Sequence, residues 1–434
     1  GWASMPIAAL CAKQHYPSMK QHQPIRSMRC FITRLHNTTQ HLRMNRWQQH
    51  WQQQLAQREQ QHLMRRVRVS ENAQGIHTII DGKPYLSFIS NDYLGFANHP
   101  VLKKALIEGA TQYGTSSGAS HLLGGHSFAH QQLEEALAAF TGRDRALLFS
   151  TGYMANLGVL TALLGKGDCI LQDKLNHASL LDGGLASGAD FRRYLHANTS
   201  SLETYLQNHQ PKKTLVCTDG VFSMDGDIAP LPALARLCEN HDALLMVDDA
   251  HGFGVLGKTG SGSCEHFSLT QHDVPILMGT LGKALGSFGA FVAGSHDMIE
   301  MLIQFARPYI YTTALPPAQA VVSHAALQLL HTESWRREQL HARIAFFVTQ
   351  AQQRGIPLLP SNTAIQPVII GSSERVLQIN TQLHAAGFLV GAVRPPTVAE
   401  GAARLRITLC AEHSEQHIEQ LLDALTNILR EHHA

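Results

Sequence analysis

Lys283 stands among glycines in GTLGKALGS, residues 279–287. Glycine opens the backbone to close approach, and lysine brings a long cationic arm. Such a lysine can cradle a phosphate, form a Schiff base with an aldehyde cofactor, or stay solvated beside a turn. Two other stretches carry groups able to join it. LLMVDDAHG ends an apolar run with Asp248 and Asp249, followed by His251. LLFSTGYMANLG passes from an apolar run into a helical pattern, which puts the amides of Gly152 and Tyr153 at a helix N-terminus suited to phosphate. Each fragment is weak alone. A strand-end acid is often structural, and a Gly-Lys pair is usually at the surface. Together, a phosphate cup, a buried carboxylate and a lysine are the parts that pyridoxal phosphate requires. The carboxylate keeps the pyridine ring protonated, so the ring can accept electrons.

Two other motifs point to different chemistry. GFGVLGKT, residues 252–259, fits both GxGxxG and GxxxxGK[ST] and follows the apolar run ALLMV. Both patterns need a helix to start at once, because the helix N-terminus holds the phosphates. The next residues, GSGSCEH, start a helix poorly. A P-loop nucleotide-binding protein using Lys258 and Thr259 therefore stays as the reading from a different class. HSFAH, residues 126–130, has metal-ligand spacing but neither a nearby carboxylate nor a third ligand in pattern, so no metal is expected.

The elements that must position these groups alternate along the chain. Apolar runs predict strands at 85–89, 146–149, 168–172, 213–218, 243–247, 275–279 and 290–294, with helical patterns such as 155–164 and 231–241 between them. Continuous apolar strands alternating with helices predict an α/β fold with a largely parallel sheet covered on both faces. Polar groups just past the strand ends then lie where such sheets bind ligands. A long helical stretch from about 296 to 353 is broken by RPYIYTTALPP, and the tail (AIQPVII, FLVGAV, ARLRITL and a last helix) predicts a smaller α+β domain. The expected organisation is an extension over 1–43, an N-terminal helix and segment over 44–95, a large cofactor-binding domain over 96–335 and a small domain over 336–434. In the second of these, Trp47, Trp51 and Leu55 recur every four residues as a helical apolar stripe.

Composition removes several classes of function. A net charge of +2 predicts no nucleic-acid partner, and no run approaches the ~20 apolar residues of a membrane span. Seven scattered cysteines without a CxxC fit reduced thiols and a cytoplasmic enzyme. Residues 1–43 hold Lys13, Lys20, Arg26, Arg29, Arg34 and Arg43 and no acidic residue, as a transit peptide would. The favoured expectation is a disordered or non-native extension, with the enzyme opening near Met44.

Five ordered motifs carry a resemblance: SNDYLG (90–95), NHASLLDG (176–183), TDGVFSMDGD (218–227), MVDDAHG (246–252) and GTLGKALG (279–286). They resemble the α-oxoamine synthases, pyridoxal-phosphate enzymes of the aspartate-aminotransferase-like fold (fold-type I), over roughly residues 45–430. Members condense an amino acid with an acyl thioester and lose CO2. The resemblance implies that Lys283 forms the Schiff base and is the base that takes the Cα proton. It makes Asp248 the pyridinium partner, with Asp249 pointing away because successive strand residues face oppositely. His177 matches the histidine stacked on the cofactor ring, against the plainer reading of a helix cap. Ser223 and His251 match donors to the ring's phenolic oxygen, and Thr280 joins Gly152 and Tyr153 in the phosphate cup.

Substrate contacts follow from the same resemblance. Asn91 and Arg406 match the groups that hold the amino-acid carboxylate, with Arg404 as the rival arginine. Arg65 matches a position near the acyl substrate, or is one solvated charge in RRVR. Thr397 in RPPT matches a contact on a lid-like loop. The motifs QFARPYIYTTALPPAQA, AIQPVIIG and AVRPPTVAEGAARLRITL are most similar to the members that join L-alanine to pimeloyl-CoA or a pimeloyl acyl carrier protein. The alternative is the sibling that uses glycine and acetyl-CoA. Ala399 and Ala402 stand where the family commonly has Pro and Thr, in the loop near the acyl substrate. A homodimer is implied, with YTTALPP as a segment donated across the interface.

Overall fold

A computed structural model describes residues 45–208 and 211–431. The predicted extension 1–43 and Met44 lie outside the described residues. The chain divides into two compact units, one ending at Met64 and one running from Arg65 to Ala434.

In the first unit, the predicted apolar stripe does form a helix, Arg46–Gln60. Its start follows from a capping box. The Asn45 side chain accepts from the Gln48 amide (2.9 Å), and the Gln48 side chain accepts from the Asn45 amide (3.1 Å). Trp47, Trp51 and Leu55 are exposed along it.

The second unit holds two sheets. The strands, in chain order, are β1 (His77–Ile80), β2 (Lys83–Phe88), β3 (Arg145–Phe149), β4 (Cys169–Asp173), β5 (Asp190–Tyr194), β6 (Thr214–Asp219), β7 (Ala243–Asp248), β8 (Ile276–Thr280), β9 (Ala290–Gly294), β10 (Ile365–Gly371), β11 (Phe388–Val393) and β12 (Ala403–Thr408). Seven form the larger sheet, in the order β3-β9-β8-β7-β6-β4-β5. Only β9 runs against its neighbours there. The centre of this sheet is apolar on both faces, with β4 and β9 buried along their whole length. That explains why unbroken apolar runs encode it. One side packs on the helices Gly152–Leu163 and His296–Phe305, and the other on Leu231–Asn240.

One expectation needs correction. The strand predicted at 85–89 does not join the larger sheet. As β2 it lies between β1 and β11 in a five-stranded sheet of order β1-β2-β11-β12-β10. Its burial rises from exposed Lys83 to buried Phe88, as suits a sheet covered unevenly. The run 290–294 is a strand as expected, and its antiparallel pairing leaves the sheet largely parallel. β5 escaped sequence reading because DFRRY is polar: it is an edge strand with only Tyr194 buried.

Candidate active site

β3, β4, β6, β7 and β8 all end at the same edge of the larger sheet, and the polar residues just past those ends meet there. The cavity they enclose has a volume of about 190 Å³ and is lined by Gly152, Tyr153, His177, Asp219, Asp248, His251, Thr280 and Lys283, among others. Seven of the predicted site residues are therefore brought together: Gly152, Tyr153, His177, Asp248, His251, Thr280 and Lys283.

Local structure explains each placement. Gly152 and Tyr153 open the helix Gly152–Leu163, capped by the Thr151 side chain on the Met154 amide (3.2 Å). As the first two helical residues, their N–H groups have no intrahelical acceptor. They line the cavity and so offer two amides at the positive end of a helix. Lys283 sits in the turn after β8. That turn needs Gly286, whose φ is +60°, and where a Cβ would overlap the backbone of Phe96 and Ala97. The residues just after SNDYLG are thus held directly against the lysine loop.

Asp248 and Asp249 separate as strand alternation predicts. Asp248 Oδ2 accepts from Asn156 Nδ2 at 2.7 Å and lines the cavity. Asp249 points away, where its carboxylate accepts from the Ser263 amide at 2.7 Å. Burial raises the Asp249 carboxyl to about 7. His177 caps a helix and also lines the cavity. Its Nδ1 accepts from the Ser179 amide (3.3 Å) as the cap of helix Ala178–Ser187, which leaves Nε2 as the protonated nitrogen, and the ring lines the cavity. Burial lowers its basicity, Asp248 opposes that fall, and the Lys283 charge adds to it.

Lys283 is held at about 8, below the ordinary lysine range. Burial is the largest cause, Asp248 and Asp219 push the other way, and Arg406 adds to the fall. The ammonium therefore gives up its proton far more readily than an exposed lysine does, and a minor fraction is already free amine at neutral pH, as a nucleophile and base needs. Lys283 Nζ lies 2.7 Å from His251 Nε2.

The two arginines of β12 share a face but not a fate. Arg404 Nη1 is paired with Asp225 Oδ1 at 2.7 Å. Arg406 donates to Ser223 O (2.6 Å), Thr408 Oγ1 (2.8 Å) and Asn91 Oδ1 (3.2 Å). All three are neutral, so its charge is oriented without being neutralised by them. That leaves Arg406, rather than Arg404, suited to a carboxylate.

Other predicted residues fall outside the cavity lining. Ser223 meets the site through its carbonyl, which accepts from Arg406, and does not itself line the cavity. Arg65 and Thr397 are exposed and do not line it, and buried Arg406 and half-buried Asn91 also stand outside that lining. Sequence reasoning passed over Asn156, Asp219 and Tyr93. Asp219 accepts from the His177 amide (3.2 Å), and burial with Asp248 nearby raises its carboxyl well above the usual range. Asp219 and Tyr93 stood inside quoted motifs, and Asn156 follows STGY by three residues, so position was the available signal.

The competing motifs resolve structurally. No helix starts at residue 259; a four-residue helix, Ser263–His266, comes later. The Glu265 carboxylate accepts from the Thr259 amide (3.0 Å), the Thr259 hydroxyl (3.0 Å) and the Ser261 amide (2.9 Å). A fixed anion fills the place a phosphate would need. In HSFAH, both nitrogens of His130 are used, towards Ser127 and Leu315 O. Among the described residues, no group of three His, Cys, Asp or Glu side chains is placed to hold a metal.

The model for aminotransferase class I and II matches residues 83–425. The chain belongs to this aminotransferase family. Among its class I and II relatives, the 8-amino-7-oxononanoate synthase of Cellvibrio japonicus is 55% identical over 375 residues, covering 86% of this chain and 94% of that one. A crystal structure of 8-amino-7-oxononanoate synthase from Francisella tularensis is 32% identical with a TM-score of 0.71, covering 81% and 99%. A variant of serine palmitoyltransferase from S. paucimobilis, with a bound PLP–myriocin aldimine, is 31% identical with a TM-score of 0.81, covering 84% and 92%. The aminotransferase family uses pyridoxal phosphate, and the cavity fits it: amides and Thr280 at one end, Asp248 fixed by Asn156, and a lysine poised as an amine.

Proposed function

We propose that this chain catalyses the decarboxylative condensation of L-alanine with a pimeloyl thioester, giving 8-amino-7-oxononanoate, CO2 and the free carrier thiol. The observation that carries the reading is the 55% identity to 8-amino-7-oxononanoate synthase across most of both chains, with Lys283, Asp248 and His177 gathered in one cavity. The glycine and acetyl-CoA alternative is not favoured by these relatives.

Lys283, Asp248, His177, His251, Thr280 and the amides of Gly152 and Tyr153 would hold pyridoxal phosphate. When bound, it supplies an aldehyde that bonds amines and a protonated ring that takes up electrons from an α-carbon. Asp248, oriented by Asn156, keeps the ring proton in place. Lys283 accepts the α-proton of alanine as its free amine. Arg406, with Asn91, binds the alanine carboxylate through its fork and holds one α-bond in the orientation for cleavage. His177 Nε2–H donates to the thioester carbonyl, where negative charge builds as the new C–C bond forms. Ser223, Arg65 and Thr397 belong to this reading as contacts that form around cofactor and acyl chain.

The thioester carrier is CoA or acyl carrier protein. We read the enzyme as a cytoplasmic homodimer. Cys169, Cys217, Cys238, Cys264 and Cys410 are free and buried, in support of a reducing compartment. Among the described residues, no helix is long and apolar enough to cross a membrane. Exposed Leu122, Leu123, Phe128 and Tyr311 support a second copy near the YTTALPP segment.

The test is thioester-dependent CO2 release with alanine, glycine and serine. Alanine with pimeloyl thioester should exceed every other pairing. Glycine lacks one methyl contact, worth about 1–3 kcal/mol, so it should be roughly 10–200-fold poorer. Faster turnover of glycine with acetyl-CoA would overturn the assignment.

A further inference from the structure

Behind the cavity, a chain of side chains joins the carboxylate-binding end of the site to the lysine. Arg406 Nη2 donates to Asn91 Oδ1 (3.2 Å). The Tyr93 hydroxyl lies 3.3 Å from the same Oδ1 and 2.5 Å from His251 Nδ1. His251 Nε2 lies 2.7 Å from Lys283 Nζ. Tyr93 is only 1% exposed, so its hydroxyl must find its partners within this chain.

We propose that Tyr93 is a positioning residue that sets the tautomer of His251, and through it the protonation of Lys283. A hydroxyl has one proton and can accept as well. Two arrangements that pair both imidazole nitrogens differ in tautomer and in the protonation of Lys283. In the first, Lys283 is an ammonium donating to Nε2, Nδ1–H donates to the Tyr93 oxygen, and Tyr93 donates to Asn91. In the second, Lys283 is a free amine accepting from Nε2–H, and Tyr93 turns to donate to Nδ1. Passing from the first to the second releases one proton, from Lys283 to solvent, while the imidazole stays neutral. Tyr93 thus keeps both forms of the lysine bonded, and the amine form can appear without orphaning a nitrogen. The proposal rests on the reading of Lys283 as the reactive amine.

The surroundings favour this exchange. Lys283 faces Asp248 from β7 and Asp219 from β6, with Arg406 from β12 opposing them. Burial, first, and then the Lys283, Arg406 and His177 charges hold His251 far below the usual histidine range and hence neutral. Burial raises the Tyr93 phenol to about 12, against the pull of Arg406, so it acts as a hydroxyl throughout.

Tyr93→Phe separates the arrangements. In the ammonium form, Nδ1–H loses its acceptor. In the amine form, Nδ1 loses only a donor. An orphaned N–H is the rarer and costlier defect. The variant should therefore shift towards Nε2–H and free amine. The measurement is made on the full chain stripped of cofactor. Nitrogen NMR of histidine-labelled protein reads the tautomer, the His251 signal being the one lost in His251→Gln. Trace acetylation followed by peptide mass reads the pH midpoint of Lys283. Tyr93→Phe should move His251 from Nδ1–H to Nε2–H at neutral pH and lower the Lys283 midpoint by about one unit, the size of an ordinary environmental shift. An unfolding transition unchanged from the parent excludes a general loss of structure. If Tyr93→Phe is folded and neither signal moves, the proposal is overturned. Because both readouts work without cofactor, a chain whose cofactor proves to sit on another lysine would refute the catalytic reading of Lys283 alone, and the tautomer result would stand by itself.

Discussion

Two loops of this protein look alike in sequence, and each follows a buried strand of the larger sheet. GFGVLGKT follows β7 and GTLGKALG spans the end of β8, each with one lysine among glycines. Lys258 is exposed, and the amides beside it are taken by Glu265. Lys283 is drawn inward, facing two strand-end carboxylates and a histidine. The difference teaches that a glycine-rich loop has no chemistry of its own. What matters is whether its amides and its lysine already have partners. Glu265 satisfies the first loop internally and closes it. The second loop leaves its lysine facing a cavity whose other walls come from β3, β4, β6 and β7.

The largest effect should come from exchanging the two lysines' fates. Lys283→Ala should abolish covalent cofactor attachment and lower turnover by about 10³-fold or more, whereas Lys258→Ala should stay within about twofold. Borohydride reduction followed by peptide mapping checks this, and cofactor on any other lysine would sink the distinction.

The neighbouring aspartates sharpen it further. Asp248→Asn should cost about 10²-fold in turnover with folding intact, since an amide cannot hold the ring proton. Asp249→Asn should instead act on stability, by about 1–3 kcal/mol, because it disturbs the bond to Ser263 that anchors the closed loop. Thermal unfolding and CO2 release, measured on both variants, separate the two. The opposite pattern would mean that the strand faces were misassigned.

Arg404 and Arg406 should divide in the same manner. Arg406→Lys should raise the KM for alanine about tenfold, as a bidentate fork becomes a point charge. Arg404→Lys should leave that KM nearly unchanged. Equal KM effects would show that the carboxylate is shared between them.

The smallest effect is in protonation. Lys283 should lose its proton as pH rises through about 8, below the range of an ordinary exposed lysine. Below that midpoint the ammonium dominates and labelling is slow; above it the amine dominates and labelling levels off. A midpoint in the ordinary lysine range would remove the electrostatic difference between the two loops.

Much of this could be read in the chain itself. Every strand of the large sheet except β5 announced itself as an apolar run, because a sheet covered on both faces demands apolar side chains at successive positions. The lysine, the strand-end acid and the STGY turn were recognisable for a similar reason: strand ends and helix starts have narrow local rules. That only one of Asp248 and Asp249 can face the cavity follows from the period of two along a strand, while the choice of Asp248 came from the family resemblance. What the chain alone left open depended on partners distant in sequence. Arg404 and Arg406 have the same type, strand and face; Asp225, some 180 residues away, takes one and leaves the other. β2 reads like a strand of the large sheet, and only its pairing with β11, about 300 residues later, places it elsewhere. Tyr93 reads as a core aromatic until His251 is brought to its hydroxyl. Local sequence determined which groups could do chemistry. Tertiary packing decided which of them remained unpaired and facing a common cavity, because burial and partner choice are properties of contacts that the chain makes only once it is folded.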